Sequence, residues 1–237
     1  PGGEWSIING GAATATITAA GVVTAGSIAG TVTVKYTVTS DGCSNYATKS
    51  LTITGLPTPS AITGGATTVC VGSYTPPFNN SYTGGTWSII PGTGTASITS
   101  DGIVKGLTAG NVTVVYTFTY YCTNTATTSL TVYAVPTALV LTGSSSCAAT
   151  GSVSSSTSAT GVNYQLYNSA NSPQGAAVAG TGSALTWTNL PAGTSYYAIG
   201  TNTSSTCTST SSSVAVTQKT VPTALVLTGS SSCAATG

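Results

Sequence analysis

Beyond hydroxyl groups, the chemistry open to this 237-residue chain rests on six cysteines, three carboxylates and four lysines, with no histidine and no arginine. The cysteines are Cys43, Cys70, Cys122, Cys147, Cys207 and Cys233. A zinc site needs four nitrogen or sulfur ligands, and neither a C-x-x-C pair nor a histidine supplies them. A nucleophilic thiol needs a base to hold it as thiolate, and none is present. Glu4, Asp41 and Asp101 lie far apart in sequence, the last two directly before turn glycines. That spacing argues against acid–base pairs and calcium clusters alike. Serine and threonine abound without a base to activate them. No phosphate loop or dinucleotide glycine pattern occurs. Catalytic residues, cofactors and metals are therefore expected to be absent, and disulfide formation is the chemistry left to the thiols. Disulfides imply a location outside the cytosol.

The elements that position these residues are repeats. Residues 135–151 read VPTALVLTGSSSCAATG, and residues 221–237 repeat them identically, 86 positions later. A looser repeat relates GGEWSII (2–8) to GGTWSII (84–90), ATITAAGVV (15–23) to ASITSDGIV (96–104), and AGTVTVKYTVT (29–39) to AGNVTVVYTFT (109–119). Pro-Thr junctions at Pro57, Pro136 and Pro222 mark boundaries, because proline cannot donate to a ladder and holds its predecessor extended. The expected domains are residues 1–56, an immunoglobulin-like module truncated at its N-terminal side; 57–134, a complete one; 135–220, a second type of β-sandwich; and 221–237, the first strand of a further copy.

Within the modules, Val32, Val34, Tyr36 and Val38 alternate with Thr and Lys, and Val112, Val114, Tyr116 and Phe118 repeat that face. Period-two alternation sends apolar groups to one side of a strand. Turn signals such as Asp41-Gly42, Asp101-Gly102 and Ala192-Gly193 separate short strands. The fold class expected is all-β: tandem antiparallel immunoglobulin-like sandwiches forming an elongated rod. Trp5, Trp87, Trp187, Tyr36 and Tyr116 read as core aromatics. The pairs Tyr120-Tyr121 and Tyr196-Tyr197 should each point one ring in and one out. Each complete module holds two cysteines, so Cys70–Cys122 and Cys147–Cys207 are the expected bridges. Each would close a loop worth roughly 4 kcal/mol by chain entropy. Cys43 and Cys233 would then pair beyond this stretch.

Only 3% of residues are charged and the net charge is +1, so no electrostatic field invites nucleic acid or anionic lipid. No apolar run reaches the roughly 18 residues that span a bilayer, so no membrane insertion is expected.

The first two modules, through G-x-W-S-I-I, I-T-x-x-G-x-V and A-G-x-V-T-V-x-Y, resemble bacterial immunoglobulin-like domains. The third carries SCAATGSVS (146–154), VNYQLYNS (162–169) and LTWTNLPAGTSYYAIGT (185–201). That order is similar to the repeats of SprB-type gliding-motility adhesins of Bacteroidota. The resemblance implies type IX export, display as an outer-membrane-anchored surface filament, and partners in the motility and secretion machinery. A stalk segment of a secreted adhesin is the function expected, its nearest partners being neighbouring repeats of the same chain. A module binding an extracellular polysaccharide or matrix, or the spacer of a secreted multidomain enzyme, is the alternative.

Overall fold

In the computed structural model, which describes residues 2–11, 13–227 and 229, every regular element is a β-strand. The chain divides into two compact units, Pro1–Val132 and Tyr133–Gly237. Residues 3–53 of the first unit form β1 (Gly3–Asn9), β2 (Ala15–Ile17), β3 (Val23–Ala25), β4 (Gly30–Ser40) and β5 (Cys43–Ile53). Strand β4 lies between β1 and β5, antiparallel to both, and β2 pairs with β3. Asp41 and Gly42 both have positive φ, 50° and 80°, and close β4 onto β5 with Ser40 opposite Cys43. A two-residue hairpin turn of this hand suits strand twist, and Asp-Gly is the pair that adopts it cheaply.

The next module contains β6 (Thr63–Gly64), β7 (Thr68–Cys70), β8 (Phe78–Asn79), β9 (Thr86–Pro91), β10 (Thr95–Ile98), β11 (Val104–Thr108), β12 (Gly110–Thr119) and β13 (Thr123–Tyr133). Its main sheet has the order β7-β13-β12-β9, faced by the pairs β10-β11 and β6-β8. Val69, Val112, Val114, Leu130 and Val132 come from the main sheet, and Phe78 and Val104 meet them from the opposing pairs. Val112 and Val114 are the inward set that the alternation marks out.

The first module repeats the plan with less cover. Its buried core is Ala13, Ala15, Val32 and Ile53, with Ile7 and Val23 packed against it.

One lock recurs in both. The Tyr36 hydroxyl accepts the N–H of Gly3 at 2.9 Å, and the Tyr116 hydroxyl accepts that of Gly85 at 2.8 Å. Tyr116 also donates to the carbonyl of Tyr82. Each tyrosine packs on the neighbouring tryptophan at 4.6 Å between ring centroids, Tyr36 on Trp5 and Tyr116 on Trp87. A Cβ on Gly3 would stand 2.5 Å from the Tyr36 ring, and one on Gly85 would stand 2.4 Å from the Tyr116 ring. The glycine of each G-x-W motif is thus set by the ring lying over it.

The second unit comprises β14 (Leu141–Gly143), β15 (Ser145–Ser146), β16 (Thr150–Thr157), β17 (Val162–Asn168), β18 (Val178–Ala179), β19 (Ala184–Pro191), β20 (Thr194–Asn202), β21 (Thr208–Thr210) and β22 (Val214–Gln218). One sheet runs β14-β16-β19, and the other runs β15-β22-β20-β17-β18 with β21 also on β20. Val153, Leu185 and Trp187 of the first meet Tyr164, Leu166, Tyr196, Ala198 and Val216 of the second. Two sheets, antiparallel except for the parallel β15–β22 pair, face each other across an apolar layer and make this a sandwich.

The Gly–Tyr lock gives a direct test. Gly85→Ala should destabilise the second module by about 1–3 kcal/mol through overpacking. Tyr116→Phe should cost about 1–3 kcal/mol by stranding the Gly85 N–H and the Tyr82 carbonyl. Urea unfolding followed by Trp87 fluorescence measures both, and a midpoint equal to wild type in either variant refutes the lock.

Candidate functional site

Three kinds of group could act on another molecule: cysteines, exposed aromatics and the few charges. Neither expected intramodular bridge forms. Cys122 and Cys147 carry free thiols, as does Cys43, whereas Cys70 and Cys207 are disulfide-bonded. The reason is strand length. Cys122 sits in the turn between Thr119 and Thr123, where the Tyr120 N–H donates to its carbonyl. Cys70 ends β7, beside the far end of β13: Thr131 donates to the Thr67 carbonyl at 2.9 Å, and a Cβ on Gly106 would meet both the Cys70 carbonyl and Val132. From residue 122 to residue 132 a strand covers roughly 30 Å. A disulfide tolerates a Cα separation of only about 7 Å.

The third module repeats the arrangement. The Cys207 carbonyl accepts the N–H of Asn202, the last residue of β20. The Cys147 carbonyl accepts from the Gln218 side chain, and β22 pairs with the opposite end of β20 through Thr194–Val216. The two cysteines are separated by the length of β20, roughly 25 Å. Cys233 lies outside the described residues.

Among the aromatics, Trp187 is 7% exposed and Tyr116 is buried. The Trp187 indole N–H has no hydrogen-bond partner among the described residues. Trp87 and Tyr36 are half-buried. Trp5, expected in a core, is 39% exposed. It lines a groove of about 520 Å³ with Val23, Val34, Tyr36 and Leu51. In the second module Phe78 of β8 occupies the matching place, 6.4 Å from Trp87. No strand equivalent to β8 covers Trp5 among the described residues. The groove therefore has the shape of an uncovered core slot rather than of a ligand pocket.

Tyr196 is buried and donates to the Pro191 carbonyl, while Tyr197 is half-exposed and stacks on Tyr167. The other pair behaves differently: Tyr120 and Tyr121 are both exposed, packed edge-on at 4.6 Å. The alternation expected there requires a strand, and these residues form the hairpin turn.

The charges do not converge. Lys35 lies over the Tyr46 ring and Lys105 over the Tyr74 ring, at 4.3 and 5.3 Å. Such exposed cation–π contacts are worth about 0.5–1 kcal/mol each. Among the described residues no group of three or more Cys, Asp or Glu side chains could hold a metal ion, and no helix is long and apolar enough to cross a membrane.

No protein-family model matches the chain, and no curated protein does. Solved structures similar to it include Drosophila OTK extracellular domains 3–5, at 10% identity and TM-score 0.37, covering 92% of this chain and 86% of that one. The FN1–FN3 domains of chicken CNTN1 match at 14% identity and TM-score 0.35, covering 79% and 78%. Mouse cadherin-23 EC22–24 matches at 12% identity and TM-score 0.28, covering 92% and 87%. At these TM-scores the likeness adds nothing to the strand pairing. The fold assignment, tandem immunoglobulin-like sandwiches, stands on that pairing.

The thiol states are testable. Maleimide added to the native, unreduced chain should label Cys43, Cys122 and Cys147, and should reach Cys70 and Cys207 only after reduction and unfolding. Labelling of Cys207 without reductant contradicts the bonded state.

Proposed function

We propose that this chain is a stalk segment of a large exported surface adhesin, of the gliding-motility type that its third module resembles. The observation carrying this reading is the route of the chain through each complete module. In the second module the Asn124 side chain donates to the carbonyl of Pro57, where the chain enters, and the exit lies at Tyr133, the far end of the same strand. In the third, Val140 accepts from Ser156 near one end of β16, while Ala149, at the other end of that strand, accepts from Ala192. The Gly193 N–H, next in sequence, donates to Val216 of β22, the last strand. A chain that enters at one pole and leaves at the other adds length with every copy and transmits tension along its strands. A module built to hold a substrate has no need of that route.

Supporting this, the ionisable groups are few and scattered, and the groove beside Trp5 matches a core slot. Bonded Cys70 and Cys207 suit an oxidising, extracellular setting. Type IX export, the outer-membrane anchor and the motility partner rest on the resemblance of the third module. One observation favours a second reading, binding of a polysaccharide or matrix: the exposed Tyr120–Tyr121 pair offers aromatic faces to a sugar.

Small-angle scattering separates the two. A stalk should show a maximum dimension growing by about 35–45 Å per module, the length of a seven- to ten-residue strand with its loops. A compact particle, together with glycan binding that Tyr120→Ser/Tyr121→Ser abolishes, would replace the stalk by the binding module.

A further inference from the structure

We propose that the second module carries a sugar-binding site, a cleft beside Trp87 that takes one ring of a neutral polysaccharide. The cleft has a volume of about 240 Å³, and Asn79, Tyr82, Thr83, Trp87, Ser100 and Asp101 contribute to its lining. Clefts for drug-sized ligands run to roughly 300–1,000 Å³, so this one has room for a single ring.

Backbone contacts fix its walls in advance. The turn carrying Asp101 is closed by the Gly102 N–H on the Thr99 carbonyl at 3.1 Å and by the Thr99 N–H on the Ile103 carbonyl at 3.0 Å. The Phe78 N–H donates to the Gly102 carbonyl at 2.9 Å, which ties that turn to β8. Tyr82 is held at both of its backbone groups. Its N–H donates to the Asn80 side chain at 3.0 Å, and its carbonyl accepts from the Tyr116 hydroxyl. Its ring packs edge-on against Phe118 at 5.2 Å and remains 42% exposed.

A pyranose ring presents an apolar C–H face and a rim of hydroxyls, so it needs an aromatic surface with hydrogen-bonding groups around it. Tyr82 and Trp87 supply the surface. At the rim, the Asp101 carboxylate, the Thr83 and Ser100 hydroxyls and the Asn79 Oδ1 make no hydrogen bond among the described residues. A carboxylate that accepts a sugar hydroxyl makes a bond roughly twice as strong as a neutral pair does. An ammonium ion is also drawn to a carboxylate beside aromatic rings. Here the uncharged rim groups decide for the sugar, because they match its hydroxyls. The first module has the same Gly–Tyr lock, but Ala19 and Ala20 stand where the second has Ser100 and Asp101. The polar rim therefore belongs to the second module and not to the lock. The inference rests on this cleft by itself, so it stands or falls apart from the stalk reading, which is tested by shape.

The indole N–H resonances of Trp5, Trp87 and Trp187 report the outcome in the full, isotopically labelled chain. Methyl glycosides of glucose, galactose, mannose and N-acetylglucosamine are titrated in turn. At least one should move the Trp87 resonance saturably, with a Kd of about 1–10 mM, the range for so small a ligand. Trp5 and Trp187 should stay in place. Asp101→Asn, which keeps a turn-forming residue before Gly102, should weaken that Kd about five- to tenfold. Tyr82→Ala removes the ring but leaves the backbone carbonyl for Tyr116, and it should weaken binding to a similar degree. A urea midpoint for each variant confirms that the module is folded. No saturable shift with any glycoside, an equal shift at Trp5, a Kd unchanged in both variants, or tighter binding of choline than of any sugar would each overturn the proposal.

Discussion

The long antiparallel hairpin of each of the first two modules, with β20 in its place in the third, is the constraint from which the rest follows. Strands β4 and β5 pair over eleven residues each, and β12 pairs with β13 over ten positions. The ladder holds the two strands to each other along their whole paired length, so the hairpin acts as a spacer whose length is set by residue count. It fixes the distance between the poles of the module. It thereby decides which cysteines can meet, where the chain enters and leaves, and which side chains share the core face.

The second determinant is the tyrosine lying over glycine. A hydroxyl at the end of an aromatic ring does two things: it fills the sandwich and it satisfies a backbone donor that the strand edge leaves open. Tyr36 and Tyr116 do this for Gly3 and Gly85, and Tyr164 does it for the N–H of Ala159 in a module of different sequence. In a chain with 3% charged residues, such neutral contacts replace the ion pairs that other small domains use to tie their ends.

Most of the strand plan is legible in the residues. Alternation over Val112–Phe118 marks β12 and its inward face, Asp41-Gly42 marks the turn at which β4 becomes β5, and Trp187 lies in the core where its motif places it. What misleads is anything requiring knowledge of position along a strand. A pair of cysteines per module reads naturally as an intramodular bridge, since sequence distance is short while the distance across the sandwich is hidden. Tyr120 and Tyr121 look like strand residues because they extend an alternating run, yet the hairpin turns at them. Trp5 shares a motif with Trp87, but its burial depends on a Phe78-like cover from another part of the chain, which a local pattern cannot register.

The wet face of β13 carries Thr123, Thr125, Thr127 and Ser129, hydroxyl groups in place of the lysines and glutamates usual on such surfaces. Dissolved ions screen charges but leave neutral hydroxyls as they find them. On a surface of this kind the electrostatic force between neighbouring copies is weak at any ionic strength. Its colloidal behaviour is closer to that of a polysaccharide coat than to that of an ordinary soluble protein.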